Sequence, residues 1–330
     1  MEIKTILNKL VAQHHLTAAE MTTIMSAMMQ GQTTPAQTAA LLTALASKGE
    51  TIEELTASSQ VLKSCMTPIM LKPHPHLVDI VGTGGDQAHL FNVSTTAAFV
   101  VAAAGGCVAK HGNRAASSKS GSADVLTCAG ATLDLTSEQI TQCIETIGFG
   151  FLFAPRHHPA MQHVRSVRQE IGIRTLFNLL GPITNPASVQ QQLVGVYSKE
   201  WLKPVAQVLQ QLGSTHAMVV HAADGLDEIS CAAPTFVAEL KNGTITEYTI
   251  KPETFDLEST SLESLSVDTP EQSLAILQQV FENQPGPARN IVLLNAGATI
   301  YCAGLTTNIF EGIEFATQML ANGSTRKKIC

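Results

Sequence analysis

The sequence has few charged residues and no long apolar run, and each shortage excludes a class of protein. Only 14% of its 330 residues are charged and the net charge is −7, so the chain lacks the overall basic charge that favours nucleic acid. The longest weakly polar run, 97–109, is interrupted by two glycines and is shorter than the roughly 20 residues that span a bilayer. The N-terminal segment lacks the continuous apolar stretch of a signal peptide. We therefore expect neither nucleic acid nor a membrane as a partner.

Cysteine is present, but not in a pattern that forms a site. The seven cysteines are odd in number, and no two of them have C-x-x-C spacing. No group of cysteines and histidines has the spacing of a zinc site. We expect reduced, buried thiols in a cytoplasmic protein.

Apolar residues, in contrast, make up 45% of the chain. This content and length suffice for one large domain or two modest ones, and they exclude a disordered or disulfide-stapled chain. The charges are unevenly distributed. Basic side chains cluster at 110–119 and 156–174, whereas 221–264 holds nine acids and two lysines. This distribution suits a polyanionic ligand bridged by a metal ion, and two solvated faces of opposite charge would give the same pattern.

The first 70 residues have the pattern of a helical unit. Capping boxes at 17–20 and 51–54 precede apolar-periodic runs. Thr34 followed by Pro35 is typical of a third helix start. Prolines then interrupt the pattern before residue 76. We predict a small helical N-terminal domain over 1–72.

From residue 77 onward, short apolar runs alternate with helical patterns. This alternation predicts an α/β fold, a large domain over 73–330 with a mostly parallel central sheet flanked by helices. The predicted strands are 77–81, 107–110, 149–154, 192–197 and 216–222; the predicted helices are 94–104, 136–148 and most of 270–321, with a hairpin within 235–268.

A glycine-rich segment follows the first predicted strand. Gly82, Gly84 and Gly85 precede Asp86, and we call residues 82–86 the glycine loop. Glycines let backbone N–H groups approach an anion closely, and Asp86 could accept a hydrogen bond from a ribose hydroxyl or a metal-bound water. The segment is neither a P-loop nor G-x-G-x-x-G, and a tight turn at the strand end would explain it equally well.

Small polar residues at 92–96 open the next predicted helix. One of them would serve as an ordinary N-cap, but four within five positions exceed what capping requires. The N-terminus of a helix also binds anions. The two segments flank one βα unit, so they can face the same ligand.

The most specific segment is 110–124, KHGNRAASSKSGSAD. It follows a predicted strand, at the edge where open α/β sheets bind ligands. Its cations, histidine, asparagine and serines make it more polar than a structural turn needs to be. A solvated basic loop is the remaining structural alternative.

Two further segments carry opposite charges. Arg165 and Arg168 are three residues apart, so they share one helix face, and a forked guanidinium matches a carboxylate. Asp227 and Glu228, the acidic pair, follow the predicted strand 216–222. Adjacent acids beyond a strand end favour Mg²⁺, although an acidic turn would look the same.

With these segments in this order, the chain resembles the anthranilate phosphoribosyltransferases. The matching blocks lie between 82 and 228, and KHGNRAASSKSGSADVL and RTLFNLLGPITNPA are the specific ones. The resemblance implies a small helical domain hinged to a large α/β domain, a helical return near 160–185, and a homodimer formed through the small domains. It implies transfer of 5-phosphoribosyl from 5-phosphoribosyl-1-pyrophosphate (PRPP) to the nitrogen of anthranilate, with release of pyrophosphate, as the second step of tryptophan biosynthesis.

The resemblance also implies a role for each matching residue. Lys110, His111 and Arg168 are the candidate catalytic residues. Mg²⁺, one or two ions, would be ligated by Ser94, Asp227 and Glu228. Anthranilate would be bound by Gly82, His111, Asn113, His158 and Arg168. PRPP would be bound by Gly82, Gly85, Asp86, Leu90, Asn92, Val93, Ser94, Thr95, Lys110, His111, Gly112, Asn113, Arg114, Ala115, Ala116, Ser117, Ser118 and Ser122.

Known chemistry fits these roles. Cleavage of the anomeric C–O bond places negative charge on pyrophosphate, which Lys110 and Mg²⁺ would stabilise. Arg168 would grip the anthranilate carboxylate and so position a neutral amine. His111 is a candidate general base, but such a nucleophile needs no strong base. The sequence leaves open whether the chain associates with an anthranilate synthase subunit.

The chain departs from the usual family pattern at a few positions. Gln87 stands where the family commonly has glycine, and Leu90 where threonine is common. Thr127-Cys128 replaces a more usual Glu-Ala. The changes at Gln87 and Leu90 affect the segment that would bind PRPP, and neither removes a charged group. We therefore expect them to alter the mobility of that segment or one phosphate contact, and we expect activity to be retained.

Two alternatives come from other functional classes. A pyrimidine-nucleoside phosphorylase would share the fold but differ in its base-binding segments. A non-enzymatic, nucleic-acid-binding homologue would gain basic surface and lose Asn113 and Arg168. The net charge and the presence of both residues favour the transferase.

Overall fold

The computed structural model describes residues 2–86, 88–115 and 119–328. The chain begins with four helices whose starts follow from local sequence. Thr17, Thr34 and Thr51 each cap a helix, accepting a hydrogen bond from a backbone N–H three residues on. These starts confirm the predicted capping boxes. The four helices are α1 (Ile3–Val11), α2 (Ala18–Met29), α3 (Pro35–Lys48) and α4 (Ile52–Cys65).

A seven-stranded sheet forms the centre of the rest of the described chain. Its spatial order is β3-β2-β1-β4-β5-β6-β7. The first five strands are parallel, and β5, β6 and β7 pair antiparallel, which confirms the mostly parallel sheet and the hairpin. The strands are β1 (Leu77–Gly82), β2 (Cys107–Gly112), β3 (Phe149–Phe153), β4 (Gln191–Gly195), β5 (His216–Ala222), β6 (Thr235–Lys241) and β7 (Thr244–Ile250).

Helices cover the sheet. The described helices that follow β1 are α5 (Val93–Ala103), α6 (Ser122–Cys128), α7 (Ser137–Ile147), α8 (Ala154–His157), α9 (Gln162–Ile171), α10 (Leu176–Ile183), α11 (Leu202–Gln211), α12 (Pro270–Phe281), α13 (Pro287–Cys302) and α14 (Ile309–Ala321). Helices α5 and α13 pack against each other and against the sheet, and both are buried along most of their length. No helix in the described ranges is long and apolar enough to cross a membrane.

Helices α9 and α10 return to the N-terminal helices. Helix α9 packs on α2 and α3, and α10 packs on α3 and α4. We call α1–α4 together with α9 and α10 the helical bundle. Its apolar core is continuous with side chains of β4, β5 and α11. The bundle therefore rests directly on one face of the sheet.

Several loops meet at the carboxyl edge of the parallel strands. The glycine loop follows β1, the segment 113–121 follows β2, and the acidic pair follows β5. Strand β2 extends to Gly112, two residues beyond the predicted end. The predicted strand, 107–110, is therefore too short, because His111 and Gly112 lie in the strand and not in the loop that follows it. In the strand, paired backbone holds both residues more rigidly.

Candidate functional site

The glycine loop lies directly against the acidic pair. Gly84 and Gly85 have φ angles of 68° and 80°, a region that glycine adopts without strain. The Gly84 N–H donates a hydrogen bond of 2.6 Å to Asp227 Oδ2. A Cβ atom at Gly82 would overlap that same carboxylate. Glycine at these positions is thus needed both for the turn and for the close approach of Asp227.

Three carboxylates share this small volume. Burial and the neighbouring charge of Asp86 raise the pKa of Asp227 to about 7. Burial and the charge of Asp227 raise the pKa of Glu228 to about 8, and burial likewise raises the pKa of Asp86. Carboxylates that resist ionisation together favour the binding of a cation between them.

Lys110 is a buried cation near Glu228 of the acidic pair. It is 2% exposed, and its Nζ donates to the Ile80 carbonyl at 2.6 Å and to Ser94 Oγ at 3.2 Å. Burial lowers the pKa of Lys110, and the charges of Asp79, Glu228 and Asp227 oppose that shift. The ammonium group therefore lies beside both the helix start and the acidic pair.

Asp79 is a functional residue that the sequence did not reveal. Its buried carboxylate accepts hydrogen bonds from the His111 N–H at 3.2 Å and from Asn185 Nδ2 at 2.7 Å. Burial raises its pKa to about 6, against the opposing charge of Lys110. The only signal was a charged residue within the apolar strand LVDIV. Its carboxylate fixes the end of β2, which carries Lys110 and His111.

The start of α5 combines fixed and available polar groups. The Asn92 side chain donates to the Ser120 carbonyl and accepts from the Ser120 and Ser273 hydroxyls, so it makes no capping bond. The Ser94 N–H lies near the Glu228 carboxylate and lowers its pKa, against the larger effect of burial. The Thr95 hydroxyl is buried and has no hydrogen-bond partner among the described residues. The Val93 side chain is buried in the core, so only its backbone could contact a ligand.

The polar loop, residues 113–121, is closed by one carboxylate. Asp124 accepts from the Ala115 and Gly121 N–H groups at 2.9 and 3.0 Å and pairs with Arg114 at 2.8 Å. The Ser122 hydroxyl donates to the Asn113 carbonyl. These contacts join the two ends of the loop. The predicted residues Ala116, Ser117 and Ser118, and Gln87 beside the glycine loop, lie outside the described residues.

Leu90 lies beyond the carboxyl end of the glycine loop, between that loop and α5. It forms an isolated antiparallel bridge with Ser266, and the neighbouring Phe91 N–H donates to the Leu265 carbonyl. The segment is thereby attached to the chain that precedes α12. Leucine stands here where the family commonly has threonine, and the contacts that hold this position are made by the backbone.

Two histidines face each other beneath the polar loop. The rings of His111 and His158 lie 5.1 Å apart, and the Nε2 atoms of both are buried without a hydrogen-bond partner among the described residues. His111 Nδ1 bonds the Gly181 carbonyl at 3.0 Å. Burial lowers the pKa of His111 to about 3 and that of His158 to about 4. Both rings are therefore neutral near pH 7.

Arg168 is an available cation on the bundle side. Its guanidinium carbon lies 5.1 Å from the centre of the Phe177 ring, and it makes no hydrogen bond or ion pair with any described residue. Burial lowers its pKa. Arg165, on the same helix, is exposed. Of the predicted arginine pair, Arg168 alone is both half-buried and free to bind a carboxylate.

The side chains at the acidic pair fit Mg²⁺ that is bound together with substrate phosphates better than they fit a metal ion bound by protein ligands alone. Within residues 2–86, 88–115 and 119–328, no group of three His, Cys, Asp or Glu side chains is arranged to hold a metal ion. Mg²⁺ commonly uses one or two carboxylates together with substrate phosphate oxygens. The acidic pair beside Ser94 supplies such carboxylates. The structure thus brings together the three predicted ligands Ser94, Asp227 and Glu228.

Family comparisons divide the chain into the same two parts. Residues 4–66 match the glycosyl transferase family, helical bundle domain. Residues 74–326 match the glycosyl transferase family, a/b domain. Together these matches span nearly the whole chain.

Individual relatives agree with the family matches. The anthranilate phosphoribosyltransferase of Methylococcus capsulatus is 55% identical over all of this chain and 96% of its own. That of Hydrogenovibrio crunogenus is 52% identical over 99% of this chain and 96% of its own. The Thermus thermophilus enzyme of the same name has a crystal structure with a TM-score of 0.92 at 42% identity, covering 98% of this chain and 96% of its own. The Saccharomyces cerevisiae enzyme in complex with PRPP and Mg has a TM-score of 0.90 at 27% identity, covering 99% of this chain and 95% of its own.

Proposed function

The chain belongs to the anthranilate phosphoribosyltransferases of the glycosyl transferase family, and from this premise we propose how its own residues carry out the family reaction. That reaction transfers the 5-phosphoribosyl group of PRPP to the amino group of anthranilate and releases pyrophosphate. One observation supports the assignment most strongly. The buried Lys110 ammonium and the acidic pair lie at the same edge of the sheet. The Arg168 guanidinium, in contrast, has no charged partner among the described residues. A polyanionic substrate with its metal ion would bind at Lys110 and the acidic pair, and a monoanionic substrate would bind at Arg168.

PRPP binds across the glycine loop, the start of α5 and the polar loop. The Gly82–Asp86 backbone and the α5 N-terminus supply N–H groups for phosphate oxygens. Lys110 supplies a positive charge. Asp124 binds the Ala115 and Gly121 amides, so the two ends of the polar loop are held together beside the place proposed for the ribosyl phosphate.

Mg²⁺ binds at the acidic pair with Ser94. When bound, it neutralises phosphate charge and stabilises the departing pyrophosphate. Asp227 keeps contact with the glycine loop through Gly84, and the Glu228 carboxylate stays near Lys110. The chain's own contribution is to hold these carboxylates near where the phosphate oxygens bind.

Anthranilate binds between the polar loop and the bundle. Arg168, packed on Phe177, receives its carboxylate, and Asn113 of the polar loop supplies a second polar contact. His111 and His158 present neutral rings to the aromatic amine. Because both rings remain neutral at pH 7, they add no positive charge that would compete with Arg168 for the carboxylate.

Catalysis follows from position and charge. The amine is neutral and can attack the anomeric carbon without prior deprotonation, so alignment supplies much of the rate. Lys110 stabilises the negative charge that develops on pyrophosphate. His111, whose Nε2 has no partner among the described residues, accepts the proton that the amine loses after the new C–N bond forms. Arg168 fixes the acceptor during the step.

Three features of the wider molecule also belong to this proposal. We propose that the chain forms a homodimer through its small helical domain (1–72), which hinges on the large domain (73–330), and light scattering on the purified protein tests the dimer. We propose a cytoplasmic location. The six cysteines within the described residues are unpaired thiols, three of them buried and three half-buried, which suits a reducing compartment.

Mass spectrometry of the product tests the proposed function. The protein is incubated with PRPP, Mg²⁺ and anthranilate, and we expect one product with the mass of anthranilate plus the 5-phosphoribosyl group. Formation of a free pyrimidine base from a nucleoside and phosphate would instead identify a phosphorylase. Retention on DNA at about 0.2 M salt without any product would favour the binding homologue.

A further inference from the structure

Arg174 lies at the junction between the helical bundle and the glycine loop. Gly172, at φ 63°, ends α9 in the left-handed conformation, and α10 begins two residues after Arg174. Both helices pack on the N-terminal helices. In the sequence Arg174 is one of the basic side chains at 156–174 and the first residue of the block RTLFNLLGPITNPA, but the resemblance gave it no role.

The Arg174 guanidinium contacts the α/β part of the chain at two points. Its Nη2 donates a short hydrogen bond to the Gly85 carbonyl. Its guanidinium carbon lies 4.4 Å from the centre of the Tyr197 ring, just beyond the end of β4. An aromatic face stacked on the guanidinium fixes its plane. One side chain of the bundle thus holds the backbone of the glycine loop.

The electrostatic surroundings agree with this geometry. Burial raises the pKa of Asp86 and of Asp227, and the charge of Arg174 opposes that rise at both, which places the cation near these two acids. Glu50, from the turn between α3 and α4, lies near the Leu176 N–H, which lowers its pKa against the larger effect of burial, and its charge raises the pKa of Tyr197. Helix α10, which follows Arg174, packs on α3 and α4, so the turn that carries Arg174 is attached to the bundle on its other side.

We propose that Arg174 is a positioning residue: from the helical bundle it holds the glycine loop, at the Gly85 carbonyl, in the conformation that binds PRPP. This inference rests on the proposed function. Arg168, the residue for the anthranilate carboxylate, is carried by the helix that immediately precedes Arg174. The same short stretch of the bundle therefore contacts both substrate sites, and Arg174 acts on the PRPP side alone.

The matched variants are Arg174→Gln, Arg174→Lys and, as control, Arg165→Gln. Arg165 is exposed on α9 and makes no described contact with either site. Hydrogen exchange of the glycine-loop peptide, without substrates, reports the contact directly. Steady-state kinetics then report its effect on each substrate, and Tyr197→Leu removes the stacking surface without changing the arginine.

We expect glycine-loop exchange to be faster in Arg174→Gln and unchanged in Arg165→Gln. The KM for PRPP should rise about tenfold in Arg174→Gln, the loss of one charge-assisted hydrogen bond. The KM for anthranilate and kcat should each stay within about twofold. Arg174→Lys, which keeps a donor but not the fork, should recover part of the loss, and Tyr197→Leu should shift the same two readouts by less.

Unchanged loop exchange in Arg174→Gln would overturn the inference, and so would an equal rise in both KM values or a fall in kcat alone. The exchange measurement does not depend on turnover. If wild-type protein exchanges slowly at the loop but forms no product, the proposed function fails while the loop contact stands. If wild-type protein is active and Arg174→Gln matches it in PRPP KM, the inference alone fails.

Discussion

The carboxylate of Asp227 accepts a 2.6 Å hydrogen bond from the backbone N–H of Gly84. This bond joins the acidic pair after β5 directly to the glycine loop after β1. The two strands belong to the same sheet and are separated by β4. A change at either loop is therefore expected to reach the other. PRPP phosphates and Mg²⁺ would bind on the two sides of a single preformed contact.

Removing the charges of the acidic pair should abolish metal dependence without unfolding the protein. Asp227→Asn combined with Glu228→Gln keeps similar shapes, and the amide oxygen introduced at position 227 can still accept the hydrogen bond from Gly84. We expect kcat/KM to fall at least about a hundredfold, because metal stabilisation of a leaving group is worth several kcal/mol. Activity measured across a Mg²⁺ titration checks this.

The same double variant should not melt at a lower temperature than wild type. The raised pKa values of Asp227 and Glu228 show that ionising both in the fold is unfavourable, so their neutral analogues relieve repulsion. A double variant with a normal Mg²⁺ response would refute the metal assignment.

Arg168→Ala should weaken anthranilate selectively. The variant removes the partner of the substrate carboxylate, so we expect the KM for anthranilate to rise about ten- to a hundredfold. The KM for PRPP should change by no more than about twofold. Arg165→Ala, exposed on the same helix, is the matched control and should behave as wild type. Equal weakening of both substrates would remove Arg168 from the acceptor site.

The neutral state of His111 predicts a specific dependence of stability on pH. Its pKa is about 3 in the fold and about 6.5 in the unfolded chain. Between these values the unfolded chain binds the additional proton, so this histidine lowers the free energy of unfolding as pH falls below 6.5. His111→Asn removes the effect while keeping a donor for Gly181.

Urea unfolding of both proteins at pH 7.5 and pH 5 measures it. We expect the wild type to lose about 2 kcal/mol relative to His111→Asn between the two pH values. Taking the difference between the proteins cancels the carboxylates they share. A difference that does not change with pH would mean that the pKa of His111 is the same in the fold as in the unfolded chain.

Asp124→Ala should loosen the polar loop. The variant removes the acceptor of the Ala115 and Gly121 N–H groups and the partner of Arg114. We expect the KM for PRPP to rise about tenfold and stability to fall by about 1–2 kcal/mol. Asp134→Ala, which removes only an exposed ion pair with Arg156, should change neither. Similar effects from the two variants would contradict the proposal that Asp124 holds the ends of the polar loop together.

Local sequence sufficed to predict most of the fold because its signals are local. The capping boxes at Thr17 and Thr51 and the strand LVDIV depend on residues within one turn or one strand. The helical return of α9 and α10 was implied only by the resemblance. The sequence pattern of α9 indicates an amphipathic helix, but it does not indicate which part of the fold packs on the apolar face.

The residues that the sequence did not reveal depend on distant partners. Asp79 and Asn185 are 106 positions apart, and Arg174 and Gly85 are 89 apart. Nothing near Asp79 in the chain indicates a partner. Strand β2 was predicted two residues too short, ending at Lys110, because His111 and Gly112 are typical of a loop. Burial of Lys110 and His111 is made possible by partners from Asp79, Ile80 and Gly181.

The most direct test of the central claim is the rate of anthranilate fluorescence loss after addition of PRPP and Mg²⁺, recorded together with pyrophosphate release. We predict a loss that requires Mg²⁺, stops with EDTA, and matches pyrophosphate one for one. No loss of fluorescence, in a folded sample whose melting temperature rises with PRPP and Mg²⁺, would contradict the assigned reaction and point to a different acceptor.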